Sequence, residues 1–176
     1  PICVGQNSSL FFPVVSGTPP YNLNFLAGTS PVNVMVDATG NVSGSTWPIN
    51  PVSTTTYTLQ NVTDAGGLFG CTKTFNGQSA TLQVNDLPFV DLNGTTEICE
   101  GEVTQLYFDF TSGSSPWTVY YDIDGTPTNV TLSNSMDSLA VSPSNTSIYT
   151  INSISDPNCS NTITDATTIT VNPLPE

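Results

Sequence analysis

Residues Ile2–Phe25 read ICVGQNSSLFFPVVSGTPPYNLNF and recur without a gap, ninety-six positions later, as Ile98–Tyr121, ICEGEVTQLYFDFTSGSSPWTVYY. The fold must therefore be one that a unit of roughly 88 residues can complete with its own core. Cys3/Cys99, Gly5/Gly101, Leu10/Leu106, Phe12/Phe108, Gly17/Gly113 and Pro20/Pro116 are in register. Further on the offset shrinks, through Pro51/Pro143, Tyr57/Tyr149 and Cys71/Cys159 to Pro88/Pro175. Repeat one thus carries extra residues, and loops are where insertions are tolerated. Two domains are expected, 1–88 and 89–176, the first lacking most of an opening strand.

Within each unit the apolar residues recur with period two, the spacing of a strand with one buried face. Leu10/Phe12/Val14 and Leu106/Phe108/Phe110 form one such series, and Tyr21/Leu23/Phe25 and Trp117/Val119/Tyr121 form the next, after a Gly- and Pro-containing turn. Val32/Val34/Val36 and Val130/Leu132, Ile49 and Leu139/Val141, Tyr57/Leu59 and Tyr149/Ile151, and Leu82/Val84 and Ile169/Val171 supply the rest. With Phe89 to Leu92 opening the second unit, this gives about seven short strands per repeat, and no stretch has helical spacing. Such spacing predicts an all-β chain of two tandem immunoglobulin-like Greek-key β-sandwiches.

Charge narrows the function. Lys73 is the one basic residue against fourteen acidic ones, a net charge of -13, so nucleic acid and anionic lipid surfaces would be repelled. Only 9% of residues are charged, so hydroxyls and amides must solubilise the surface, while 37% hydrophobic residues in strand periodicity argue against disorder. With no run of eighteen apolar residues and no charged-then-apolar leader, the expectation is a mature secreted piece without membrane insertion, excerpted from a longer tandem array.

Combined, the motifs are C-x-G, G-x-x-P-[YW]-x-[LV], P-x(5)-Y-T-[LI], a second cysteine and V-N-x-L-P, each present twice. This pattern resembles the immunoglobulin-like and PKD-like tandem repeats of giant surface adhesins of Bacteroidota, the gliding adhesins among them. The resemblance implies type IX secretion, display at the cell surface, and a role as non-catalytic links in a stalk or filament whose partners are neighbouring repeats of the same longer chain. It carries no catalytic motif. Two features depart from it: an insertion around Val42 to Trp47, and an enlarged loop from Ala65 through Gly70.

Four cysteines without C-x-x-C spacing, in a chain without histidine, read as disulfides of an oxidising compartment. Two connectivities are open. Cys3–Cys71 and Cys99–Cys159 would staple each unit, but alternating strands put those cysteines at opposite ends of a sandwich, beyond the roughly 7 Å Cα separation a disulfide spans. The alternative pairs Cys3 with Cys159 and leaves Cys71 and Cys99 for flanking repeats.

Other candidates are weaker. Asp122 and Asp124, in Asp-Ile-Asp-Gly, look like half a calcium loop and equally like a hairpin turn. Asp86 and Asp91, with Glu97, Glu100 and Glu102, form an acidic seam that could hold Ca2+. Asp37, Asp64, Asp109 and Asp156 could in principle supply a glycosidase-type carboxylate pair, though domains this small offer little room for a cleft, and no enzyme activity is expected. The rival to a structural role is a glycan-binding module using the insertion loops of repeat one, with Trp47 as the stacking platform. Trp117 aligns with Tyr21 and is expected in the core.

Overall fold

The computed structural model describes residues 1–10, 16–37, 49–68, 70–94 and 96–175. The chain divides into two compact units, Pro1–Asn85 and Asp86–Glu176. Among the described residues all regular structure is β, and no helix is long and apolar enough to cross a membrane.

The first unit contains β1 (Ile2–Cys3), β2 (Tyr21–Ala27), β3 (Ser30–Val36), β4 (Thr55–Thr63), β5 (Thr72–Thr74), β6 (Ser79–Leu82) and β7 (Val84–Asn85). Its main sheet runs β3-β2-β4-β5, β6 also pairs with β4, and β1 lies parallel to β7. Tyr21, Leu23 and Phe25 point inward from β2 and meet Val34, Val36, Tyr57 and Ile49, with Leu10 packed against them. The outward residues of the same strands explain how so few charges suffice. Asn33 donates to Asn24 and Asn24 to Asn61 across three strands, while the Thr56/Thr81 and Thr63/Thr72 hydroxyls pair. Phe12, Val14 and the whole Val42 to Trp47 insertion, Trp47 included, lie outside the described residues.

The second unit contains β8 (Phe89–Asn93), β9 (Thr96–Cys99), β10 (Thr104–Ser112), β11 (Trp117–Ile123), β12 (Thr126–Leu132), β13 (Met136–Val141), β14 (Ser147–Ser155) and β15 (Ser160–Asn172). One sheet is ordered β13-β10-β8 and the other β12-β11-β14-β15-β9. Both contribute to a single core. Val90, Leu92, Leu106, Phe108 and Phe110 come from the first sheet, and Trp117, Val119, Tyr121, Tyr149, Ile151, Ile154 and Ile169 from the second. Phe110 and Trp117 stack with ring centroids 4.5 Å apart. The edge strand β8 is tied to the opposite sheet by Asp165, whose Oδ2 accepts from the Leu92 amide at 2.7 Å.

Two features differ from the expected strands. The single opening strand is in fact two, because the chain leaves the β10 side after β8 and joins β15 as β9, pairing parallel from Ile169↔Thr96 to Asn172↔Cys99. Gly94 permits the crossing, with φ +141° and so close an approach that a Cβ would sit 2.9 Å from the Gln105 carbonyl. The last strand, expected to be short, is the thirteen-residue β15, whose counterpart in the first unit is broken into β5, β6 and β7.

Candidate functional site

The cysteine-bearing segments are the most closely duplicated parts of the molecule. In the second unit Asp156 follows β14, and its carboxylate accepts from three backbone amides: Asn158 and Cys159 at Oδ1, and Ser114 at Oδ2. The Asp156 amide in turn donates to the Cys159 carbonyl. The first unit repeats this. Asp64 accepts from Gly66 and Cys71 at Oδ1 and from Thr18 at Oδ2, and its amide donates to the Cys71 carbonyl at 3.0 Å. The amide bonds from Cys71, then Thr18 and Gly66, hold the Asp64 carboxyl below its ordinary value. An aspartate two residues past the last core-packed position of the strand, Ile154 or Val62, thus folds the loop that presents the hairpin cysteine.

The other cysteine sits in an equally repeated frame. Cys3 donates its amide to Gln6 Oε1 at 2.9 Å and accepts from the Gln6 amide, and the following Val4 amide donates to Asn85. Cys99 does the same with Glu102 Oε2 at 2.8 Å, and the following Glu100 amide donates to Asn172. The repeated motif is therefore Cys-x-Gly-[Gln/Glu], in which the fourth residue supplies a side-chain oxygen to the cysteine's own N–H. That role was readable in principle from the matching positions of Gln6 and Glu102, but sequence reasoning placed Glu102 only in an acidic seam. Asp165 was missed altogether.

Cys3 and Cys159 are disulfide-bonded, whereas Cys71 and Cys99 are exposed free thiols. The within-unit staples Cys3–Cys71 and Cys99–Cys159 are not formed, and Cys71 and Cys99, expected among the disulfide cysteines, have no such bond within this chain. Register gives the reason. Cys99 lies opposite Asn172 at the end of β15, and Cys159 immediately precedes its first residue, Ser160. Thirteen residues of strand separate them by about 40 Å, several times what a disulfide spans.

The remaining candidates fall in separate places. Asp124 and Gly125, with φ +51° and +82°, make the two-residue turn between β11 and β12, and Asp124 Oδ1 accepts from the Ile148 amide at 2.8 Å. A mirror-image turn needs both positions in the left-handed region, which Asp-Gly supplies. Asp122 lies on β11, opposite Pro127 of β12 and Thr150 of β14. Asp91 lies on the exposed face of β8 opposite Asp109 on β10, and Asp86 precedes β8. Among the described residues no three His, Cys, Asp or Glu side chains are grouped to hold a metal ion. Asp37 follows β3 and is half-buried. Trp117 is buried, as its alignment with Tyr21 implied.

The family model of the immunoglobulin-like domain of the nucleoporin POM152 matches residues 87–168, from just before β8 into β15. The fold is immunoglobulin-like. No curated protein matches the chain. An immunoglobulin-like sandwich whose best-placed carboxylates, Asp64, Asp124, Asp156 and Asp165, each accept backbone amides is a structural module, because those groups hold loops and edges in place.

Proposed function

We propose that the chain supplies two load-bearing spacer links of a longer, secreted surface adhesin or filament, of the Bacteroidota repeat type that its motifs resemble. The observation that carries this reading is the parallel pairing, in each unit, of the cysteine-bearing strand near its start with its last strand. In the second unit β9 pairs with the end of β15 over four residue positions, and in the first β1 pairs with β7 over two. Tension that enters a unit ahead of such a pair and leaves at its C-terminal end pulls two parallel strands in opposite directions. All their hydrogen bonds are then loaded together instead of one after another. The disulfide-bonded state of Cys3 and Cys159 supports an oxidising, extracellular location. The net charge of -13 supports a chain that repels its neighbours and stays extended, most strongly at low salt.

Single-molecule pulling on the chain, tethered at its ends with the disulfide reduced, tests the reading. Two separate unfolding events are expected, each lengthening the tether by about 30 nm, as units of this size give at roughly 3.5 Å per residue. The unit with the shorter parallel pair, the first, should yield at the lower force. Extension without resolved force peaks would overturn the load-bearing role. Binding to a glycan panel that is lost in Trp47→Ala would instead favour the carbohydrate-binding alternative.

A further inference from the structure

Two Asn-Gly pairs occur in the chain, Asn76–Gly77 and Asn93–Gly94, and the fold treats them oppositely. Strand β4 lies against β5 at Asn61↔Thr74 and against β6 at Thr58↔Ser79. Between these pairs β4 has only Leu59 and Gln60, whereas the facing chain runs from Phe75 to Gln78. The Phe75 amide donates to the Gln60 carbonyl and the Leu59 amide to the Gln78 carbonyl, each at 2.8 Å. Asn76 and Gly77 are therefore the residues left over, looped out of the ladder between two anchored neighbours. Both are exposed, and among the described residues neither makes a hydrogen bond. At Gly77, with φ +82°, a Cβ would meet nothing within 4 Å. Asn93 is exposed too, but it ends β8 opposite Tyr107. Gly94 is pressed so closely that a Cβ would lie 2.9 Å from the Gln105 carbonyl and 3.3 Å from Leu106.

We propose that Asn76–Gly77 is a site of spontaneous backbone modification, at which the folded chain closes a succinimide and opens it to isoaspartate and aspartate, while Asn93–Gly94 is held as the amide. Glycine suits the attacking position because no Cβ shields its nitrogen. The Gly77 nitrogen loses its proton to water and bonds to Asn76 Cγ; the bond from Cγ to the side-chain nitrogen breaks, and that nitrogen leaves as ammonia. Water then opens the ring. Attack at the Asn76 main-chain carbonyl carbon breaks its bond to the Gly77 nitrogen and gives isoaspartate, whereas attack at Cγ restores the ordinary backbone with aspartate. One water is consumed and one ammonia released, with no oxidant or reductant. Either product adds a carboxylate to a chain of net charge -13. Isoaspartate also lengthens the main chain by one carbon, which a looped-out pair absorbs while Phe75 and Gln78 stay on β4. Ring closure needs the Asn-Gly peptide to swing toward the side chain. At Gly77 nothing restrains it, but at Gly94 the peptide is packed against Gln105 and Leu106, so reaction there must await local opening of the end of β8.

Peptide mapping tests this with the full folded chain, kept for days in neutral buffer and then digested with pepsin at acid pH, where ring closure stalls. The peptide containing Asn76 should accumulate isoaspartate, identified by electron-transfer fragmentation, and Asn93 should convert at least about tenfold more slowly. A parallel sample in urea with the disulfide reduced should bring the two rates together, because only the fold separates the pairs. Asn93 converting as fast as Asn76 in the folded chain would overturn the inference. So would an Asn76 that stays an amide in the folded chain while both pairs convert in urea, or aspartate at Asn76 without isoaspartate, which would mean direct hydrolysis in place of a ring. A difference between the two rates that persists undiminished in urea would assign it to flanking sequence and overturn the role given to the fold. None of these outcomes bears on the pulling experiment, so the spacer reading fails or stands separately.

Discussion

Trp117 and Tyr21 occupy the same position in the two units, yet they differ in one polar atom. Tyr21 donates its hydroxyl to the Gly17 carbonyl at 3.0 Å. The Trp117 indole Nε1 is buried and meets no acceptor among the described residues. Gly113 stands where Gly17 does, and both have positive φ, so a tyrosine at 117 has the same carbonyl within reach. Trp117→Tyr gives up about 35 Å² of buried aromatic surface, or ~0.9 kcal/mol. It removes a partnerless indole N–H, a relief of about 1 to 3 kcal/mol, and gains a hydrogen bond of ~1 kcal/mol. Trp117→Phe shares the loss and the relief but not the bond. The structure therefore orders the variants: Tyr above Phe by about 1 kcal/mol, and Ala below wild type by roughly 3 to 5 kcal/mol. Native-state hydrogen exchange at Val119, Ile151 and Leu106, all fully buried in the second unit, reads this without interference from the first. The Tyr variant should exchange about fivefold more slowly than the Phe variant. Equal rates, or a faster Tyr variant, would mean that the two turns are not equivalent at the carbonyl and would refute the transfer of geometry between repeats.

Three other outcomes follow from the same frame. Because the Asp64 carboxyl is held lower in the folded chain than in the unfolded one, the stabilisation it gives is complete above the ordinary value of 3.8 and is lost as pH falls through the lower folded value. The amide shifts of Thr18, Gly66 and Cys71 should accordingly titrate together with a midpoint below 3.8, a step absent in Asp64→Asn; a midpoint at or above 3.8 would contradict it. Gly101→Ala should cost about 1 to 2 kcal/mol, from its left-handed φ alone, since a Cβ there meets nothing. Gly113→Ala should cost clearly more in thermal unfolding, because its Cβ would lie 2.8 Å from Pro88 Cα. Phe108→Ala should destabilise the second unit by roughly 3 to 5 kcal/mol, whereas Met136→Ala, 77% exposed on β13, should stay within about 0.5 kcal/mol by urea titration.

The buried face of nearly every described strand was legible because alternation is a local signal. Tyr21/Leu23/Phe25 and Trp117/Val119/Tyr121 announce which way they point by period alone, and both series are core. Pairing is a different matter. Ile98 and Cys99 were not assigned to a strand, since so short a segment carries no periodicity, and their parallel partner on β15 lies some seventy residues downstream. The length of β15 was hidden for a related reason: Ser160–Thr168 is largely Thr, Asn, Ser and Asp, residues that suit an exposed strand face but mark loops equally well. The candidate carboxylates were found as residues and misjudged as chemistry. Asp64 and Asp156 were weighed for hydrolysis because they are acidic and unassigned, but what they do depends on three amides that only the closed loop brings together.

That hidden strand also decides what the cysteines can do. Had β15 been as short as its two apolar residues suggested, a folded-back loop could have carried Cys159 toward Cys99, and each unit could have closed its own bridge. A full-length β15 with β9 parallel along its far end forbids this in the second unit, and β1 alongside β7 sets the same opposition in the first. A unit built this way has two cysteines that cannot meet, so oxidation stabilises it only by bonding it to something else.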